Sequence, residues 1–461
     1  MNRVRHALAT TFRSLEVRNY RLYFFGQIVS ITGTWMQSVG QAWLMLQLTG
    51  SAVALGTVTA LQFLPILLLG PWGGVVADRF DKRRLLVLTQ STSAALAMVL
   101  GVLVATGVVE PWMVYVLALL LGTVTLVDMP ARQSFVIEMV GPDHVTNAVS
   151  LNSVVVNAGR IVGPAVAGVL IATVGIAVCF FANGASYLAV IAGLVAMRQA
   201  ELRRTARVQR TRGQLREGLR YAWSTRELRV PLLVMAVVGT LGFNFSVLLP
   251  LMARFAFHRG AAVYGELFSL MGVGAVAGGL VVAAKARPNG RLLAGSAVAF
   301  GVAILGAAAA PTLAAEMVVI AAVGVVSIAF ISTANSILQL RSRDDMRGRV
   351  MALYAMVFLG TTPLGAPIVG FVAEHFGPRA GLALGGAATL LAGLAAAWAA
   401  RAQRAREGTM EAVSPTAVPG ASALAGGRGT GPTPRHLEPP PASTPDRARP
   451  PTTGPRSAIA R

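Results

Sequence analysis

The stretch "GGVVADRFDKRRLL", Gly73 to Leu86, sets two aspartates and four basic residues directly after a long apolar run. The rest of the chain is poor in charge: 461 residues, 54% hydrophobic and only 13% charged. A soluble domain carries about 25% charged residues. So little charge cannot cover a globular surface, so lipid must face much of this one. Apolar segments of roughly 20 residues, the length that spans a bilayer as helix, recur from Tyr20 to Arg401. Most hold Gly or other small residues, as packed membrane helices do. The pattern predicts an all-α integral membrane protein with twelve spans, the fourth over 111–130.

Outward from Gly73–Leu86, charge alternates loop by loop. One set of loops is basic: the N-terminal arginines (Arg3, Arg5, Arg13, Arg18, Arg21), the turn at Arg79–Arg84, the loop with Arg132, and the stretches 198–229, 285–291 and 341–349. The other set holds little beyond Arg254, Arg259 and Arg379. The positive-inside rule puts the basic set, and both termini, in the cytoplasm. The formal net charge is +21, from 40 Lys plus Arg against 19 Asp plus Glu. It sits in short loops and in the tail, which argues for a lipid bilayer and against nucleic acid as partner. The one cysteine, Cys179, lies inside an apolar span, so no disulfide framework or cysteine zinc site can form within the chain. The N-terminus lacks the short core and cleavage site of a signal peptide, so the first span reads as a retained helix of a multi-pass bacterial inner-membrane protein.

The polar stretch 199–229 divides the spans six and six. The expected organisation is an N-terminal bundle over 1–198, a cytoplasmic connector over 199–229, a C-terminal bundle over 230–401 and a disordered Pro/Gly-rich cytoplasmic tail over 402–461. Within the connector, "LREGLRYAWSTRELR" (Leu215 to Arg229) has amphipathic spacing and suits either the inner membrane surface or a solvated linker. The two bundles echo each other. "GPAVAG" at Gly163–Gly168 returns as "GAPIVG" at Gly365–Gly370, and the same ungapped shift of 202 residues pairs Ser134 with Ser336, Leu151 with Leu353 and Gly175 with Gly377. Two related six-helix halves would produce that pattern.

A basic loop alone would fix topology, but it would not require Gly74-x-x-x-Asp78-Arg79. With Arg83, these residues resemble the signature loop between helices two and three of the major facilitator superfamily; Asp81 stands where that family has a second glycine. In helix five, Gly159-x-x-x-Gly163-Pro164, ending at Gly168, resembles the glycine-rich motif of drug antiporters, although small residues at this spacing also serve plain helix packing. "GQIVSITGTWMQSVGQAWLMLQLTGSA", "RQSFVIEMVGPDHVTNAVSLNS" and "RDDMRGRVMALY" are similar to the branch that contains the enterobactin exporter and macrolide-efflux proteins. The resemblance spans Asn19 to Arg401 and implies two pseudo-symmetric six-helix bundles. It also implies a conformational gate. Asp78 would face the cytoplasmic start of helix eleven near Arg347 and Arg349, and Arg79 would pair with Asp128 on helix four.

Several polar residues lie inside the spans. Arg160 in helix five must face a cavity or pair internally, since a membrane-embedded Arg costs at least about 2.5 kcal/mol. It is a candidate for an anionic substrate group, or for a pair with Asp128. Gln27, Ser30, Thr34, Gln37 and Gln41 fall on one face of the first helix. Asn157 and Asn335 are further substrate candidates, while Gln62, Asn152, Asn183, Asn244 and Gln339 suit helix–helix bonds equally. The chain has no Gly-x-x-x-x-Gly-Lys-[Ser/Thr] phosphate loop, so an ion gradient is the expected energy source. If protons supply it, Asp128 is the first titratable candidate and Glu266 the second. The expectation is a monomeric secondary transporter, without metal or cofactor. It would export a small amphiphile (siderophore, drug or antibiotic-like) in exchange for protons. A nutrient importer on the same fold and a non-transporting membrane sensor are the alternatives. No clustered His, metal-ligand spacing or nucleophile–base arrangement suggests an enzyme.

Overall fold

The computed structural model describes residues 12–203, 214–285 and 288–413. Arg3, Arg5 and the tail from 414 onward lie outside the described residues, as do parts of the connector and of the 285–291 loop. The chain divides into two units, 1–406 and 407–461; in the second, the described residues 407–413 are helical.

The described residues form helices and no strand. In chain order they are α1 (Arg18–Thr49), α2 (Ala52–Arg79), α3 (Lys82–Ala105), α4 (Pro111–Val140), α5 (Val145–Thr173), α6 (Ala177–Val195), α7 (Gln214–Ser224), α8 (Arg226–Val237), α9 (Phe245–Leu251), α10 (Ala261–Lys285), α11 (Gly290–Ala309), α12 (Leu313–Arg341), α13 (Arg347–Leu359), α14 (Thr362–Phe376) and α15 (Pro378–Val413). Among the described residues, eleven helical segments are long and apolar enough to cross a membrane, with α8–α9 and α13–α14 each forming one of them. The 32-residue α1 is not among the eleven, because the polar face from Gln27 to Gln41 dilutes its hydropathy.

Local chemistry sets the boundaries. Ser51, Asp81, Asn289 and Thr312 each cap a helix by accepting a backbone N–H three residues on. The aspartate at position 81 therefore has a structural reason: its Oδ1 accepts from Arg84 N at 3.0 Å and starts α3. Two sequence boundaries shift. Pro130 does not end the fourth span, since α4 runs on to Val140 with the proline inside it. α15 continues to Val413, past the expected start of the tail at 402. The amphipathic connector segment is helical over Gln214–Ser224 and breaks at Thr225.

Helix packing follows the glycines. A Cβ on Gly274 or Gly324 would strike the backbone of the facing helix, so α10 and α12 meet at backbone contact. α2 approaches α4 in the same way, at Gly73 against Leu126 O and Gly122 against Gln62 O. Large apolar side chains such as Leu68, Val318, Leu391 and Trp398 point outward and are exposed, as helices solvated by lipid require. The 202-residue echo is visible in the backbone. Shifted by 202, α4 falls on α12 and α5 on the α13–α14 segment. Gly175 and Gly377 both take left-handed φ, 113° and 87°, immediately before the next helix.

Candidate functional site

The N-terminal helices α1–α6 and the C-terminal helices α8–α15 meet along two seams, α2 against α14 and α5 against α10. Glycines line both. Gly56 lies against the Ala366 carbonyl and Gly370 against that of Ala52; Gly265 lies against the Pro164 carbonyl, and Gly168 against Ala261 and Ala262. Ser269 Oγ donates to Ile161 O at 2.7 Å across the second seam.

Further polar contacts between the two sets sit at the end remote from the basic turns. Glu374, in the last turn of α14, accepts from Ser51 Oγ at 2.7 Å and from Val53 N at 2.9 Å, and so caps the N-terminus of α2. Its negative charge also meets the positive end of that helix dipole. Arg254 donates to Leu46 O at 2.8 Å, and Trp43 stacks on Tyr264. At the basic end, four contacts hold neighbouring helices together. Arg83 donates to Leu194 O and Val195 O at the end of α6, and Lys82 pairs with Glu138. Arg349 pairs with Glu217 of α7 and Arg341 with Glu227 of α8. Glu374, Arg254 and Trp43 therefore latch the two sets at the end remote from the basic turns.

A second polar centre lies inside α1–α6. Asp128 Oδ1 accepts from Thr89 Oγ1 at 2.6 Å and from Gln90 Nε2 at 2.8 Å. Its Oδ2 accepts from Arg132 Nη2 at 2.6 Å and Nε at 3.1 Å, and Arg132 also donates to Gln27. Asp128 is 8% exposed. Its charge is met by a guanidinium and its oxygens by two further donors, which is how a buried ion pair becomes tolerable. The expected Arg79–Asp128 pair is thereby corrected. Arg79 is exposed at the end of α2, and the cation on Asp128 is Arg132, one turn further along α4. The i,i+4 spacing of Asp128 and Arg132 was readable, but it loses its meaning once Pro130 is taken as the end of the helix. Arg160 does not pair with Asp128 either.

The other sequence candidates fall into three groups. Gly159 and Gly163 face α1, against Ile31 and against Trp35 and Thr32, while Pro164 and Gly168 face α10. The antiporter-like motif thus packs helices and forms a seam at once. Arg160, on the same helix, lies over the Trp35 ring at 5.4 Å; its Nε is buried without a hydrogen-bond partner. Gln37 and Gln41 are buried, but each is engaged by a neighbouring helix: Gln37 accepts from Asn183 at 2.6 Å, and Gln41 reaches Gln62 at 3.4 Å. Asn157 bonds back to Ser153 O, and Asn335 accepts from Gln339 on its own helix. Glu266 is exposed on α10.

In the proposed gate, Gly74 is buried, and its neighbour Gly73 lies against the Leu126 carbonyl of α4. Asp78 is half-buried at the end of α2. Arg347 is engaged by Asp344 and Arg349 by Glu217. Three residues carry more than sequence reasoning assigned them: Arg132, Glu374 and Glu316. Glu316, in the first turn of α12, is fully buried, and neither carboxyl oxygen has a hydrogen-bond partner.

Known proteins resemble the whole of this architecture. The sequence profile described as transmembrane secretion effector matches residues 9–429. The chain is 28% identical to the staphyloferrin A transporter of Staphylococcus aureus over 363 residues, covering 77% of this chain and 90% of that one. It is 30% identical to the multidrug efflux pump Tap of Mycobacterium tuberculosis over 376 residues, covering 78% and 88%. Over a shorter stretch, 34% of this chain and 39% of the relative, it is 26% identical to macrolide efflux protein A of Streptococcus pyogenes. Among solved structures, a bacterial homologue of the iron transporter ferroportin in an inward-facing state superposes with a TM-score of 0.63 at 16% identity, covering 82% and 98%. The nucleoside transporter NupG superposes with a TM-score of 0.65 at 12% identity, covering 83% and 98%.

Proposed function

The chain belongs to the transmembrane secretion effector family of major facilitator transporters, and from that premise we propose that it exports a small amphiphilic molecule by alternating access, driven by protons flowing inward. The family consists of transporters, not enzymes, and the chain is a multi-pass protein of the bacterial plasma membrane. The observation that carries the mechanism is the latch at the end remote from the basic turns. Glu374–Ser51 and Arg254–Leu46 join the two sets of helices there, beside the glycine seams, while at the basic end Arg83 bonds to α6 and Arg349 to α7. Alternating access needs two bundles that can separate at one end while closed at the other.

In this reading α1 completes twelve spans in two six-helix bundles, about 1–198 and 230–401, with 199–229 as connector. The basic turns and both termini are cytoplasmic, so an inward-facing state is one in which that end parts while the Glu374 end stays closed. Closing the basic end then falls to the Gly74–Arg83 turn. Asp78 and Arg79 meet the start of α13 near Arg347 and Arg349 when the bundles rock. The transporter works as a monomer. The opposite direction, uptake, is the second reading, but two relatives that carry efflux in their names favour export.

Substrate contact is proposed at the seam. Arg160, with Trp35 against its guanidinium, would bind an anionic group while the aromatic face takes the apolar body. Asn157 and Asn335 supply adjustable polar contacts. The test uses full-length protein in proteoliposomes loaded with the anionic dye calcein or the cationic dye ethidium. An imposed proton gradient should drive outward transport, and Arg160→Ala should weaken calcein transport more than ethidium transport. Transport that ignores the proton gradient would overturn the coupling. Equal loss of both dyes would remove Arg160 from substrate recognition.

A further inference from the structure

Glu316 is fully buried in the first turn of α12, and both of its carboxyl oxygens lack a donor. An ionised carboxylate in that state is far more costly to bury than a carboxylic acid. Asp128 differs, since Arg132, Thr89 and Gln90 all donate to it.

The charged groups around Glu316 are few. Arg379, at the start of α15, is the cation that acts on it, but its Nη1 donates to Ala308 O at 3.1 Å and its guanidinium lies over the Phe257 ring. α10 brings Glu266, which is exposed, and Lys285 at its other end. α11 brings Arg291 and α13 brings Arg347 and Arg349, all at the basic end. The α8–α9 segment brings Arg226, Glu227 and Arg229 at the basic end. It also brings Arg254, which is bonded to Leu46 O.

We infer that Glu316 carries the coupled proton, in place of Asp128 or Glu266. The inference rests on the proton-driven export proposed above. With the Glu374 end closed, Glu316 holds the proton on a carboxyl oxygen. When that end opens, water reaches the carboxylate, and a proton from the outer solution forms the O–H bond. Closure buries the residue only in its protonated form, so the empty transporter returns inward loaded with a proton. Discharge from the inward-facing state transfers the proton to a water admitted from the basic end and leaves a carboxylate that needs a donor. Arg379, released from the Ala308 carbonyl, is the group at that end able to supply it. This ordering is what antiport demands: the return without substrate requires the proton.

The experiment uses full-length protein in lipid nanodiscs. Infrared difference spectra across a pH step should show a protonated-carboxyl C=O band at neutral pH. Glu316→Gln should abolish it and Asp128→Asn should leave it in place. In proteoliposomes, wild-type protein should concentrate calcein or ethidium in proportion to the imposed gradient. Each proton and each pH unit are worth about tenfold. Glu316→Gln should lose that drive and fall to the ratio seen without a gradient, and Glu316→Asp should recover part of it. A band that persists in Glu316→Gln overturns the assignment. So does gradient-driven accumulation by that variant at the wild-type level. Wild-type transport indifferent to the gradient fails the proposed coupling instead, while the infrared band still reports where the proton resides.

Discussion

Replacing Glu374 by Ala should open the end of the molecule that this structure shows closed. The side chain bridges the two sets of helices through Ser51 Oγ at 2.7 Å and Val53 N at 2.9 Å. A hydrogen bond to a charged group contributes about 1.5–3 kcal/mol when protected. Glu374 is exposed, so each bond falls toward the value of an ordinary helix cap, about 1 kcal/mol. Attraction between the carboxylate and the start of α2 adds a few tenths. Removing the side chain should therefore cost the closed state about 1–2 kcal/mol, a shift of roughly 5–30-fold in the open-to-closed ratio. Ser51→Ala removes only the first of these two bonds and should give a smaller shift in the same direction. Ser51 also caps its own helix by accepting from Ala54 N at 3.1 Å. That bond does not require closure, so its loss largely cancels from the conformational equilibrium. Glu374→Gln keeps one acceptor and should give a smaller shift than Ala. The assay is pulsed electron–electron spin resonance with labels at Val108 and Arg259, on turns of opposite sets, in a background where the buried Cys179 is replaced by Ala. If Glu374→Ala leaves the distance distribution unchanged while the protein remains folded, Glu374 does not latch this end.

Two further outcomes follow from the packing. Asp128→Ala or Arg132→Ala alone should lower stability by about 3 kcal/mol, because each leaves a buried charge unpaired. The Asp128→Leu/Arg132→Met double variant should recover most of the loss, measured by thermal unfolding in detergent. Gly56→Val should force α2 away from the Ala366 backbone and cost about 1–3 kcal/mol. That cost falls on the closed seam, so transport should fall more than the unfolding temperature does.

The helical architecture was legible because it rests on apolar segment length, a local property. The 202-residue echo held for the same reason: α4 and α5 and their shifted partners keep length, register and a left-handed glycine at position 175 or 377. The site was legible only in part. Gly163 and Gly168 were found because small residues leave a spacing, although the sequence could not say which helices they would face. Glu374–Ser51 left no local trace, since its partners are 323 residues apart and meet only when two helix ends come together. Asp81 looked like a lost glycine, whereas its side chain caps α3, a role that needs an acceptor at that position and not conformational freedom. Arg132 was hidden because a fourth span that ends at Pro130 leaves Arg132 in a loop. Inside a bundle, neighbouring helices and lipid leave the backbone no better option than to continue through Pro130.

The two sets of helices are not equally continuous, and this bears on where motion concentrates. α1 and α5 run without interruption, α5 through Pro164. Their C-terminal counterparts do not. The 226–256 segment contains π turns at Val238–Gly242 and Met252–Ala256 with a break at Phe243–Asn244, and the other divides at Gly360–Thr361 into α13 and α14. The two breaks touch. Gly239 lies against Phe358 O and Thr361 Oγ1, and the Phe243 ring packs edge-on against Phe358 with centroids 5.3 Å apart. π turns and helix breaks reduce the cost of bending. α13 also carries the Arg349–Glu217 bond to α7, so the connector helix moves with it. Rocking should therefore combine a rigid N-terminal set with a C-terminal set that bends at this paired break. Labels at Gly348 and Arg291, both in the C-terminal set, should change separation between proton-loaded and substrate-loaded protein. Labels at Arg84 and Thr146, both in the N-terminal set, should not. Equal changes in the two pairs would mean that the break is a packing accommodation and that the bundles move as two rigid bodies.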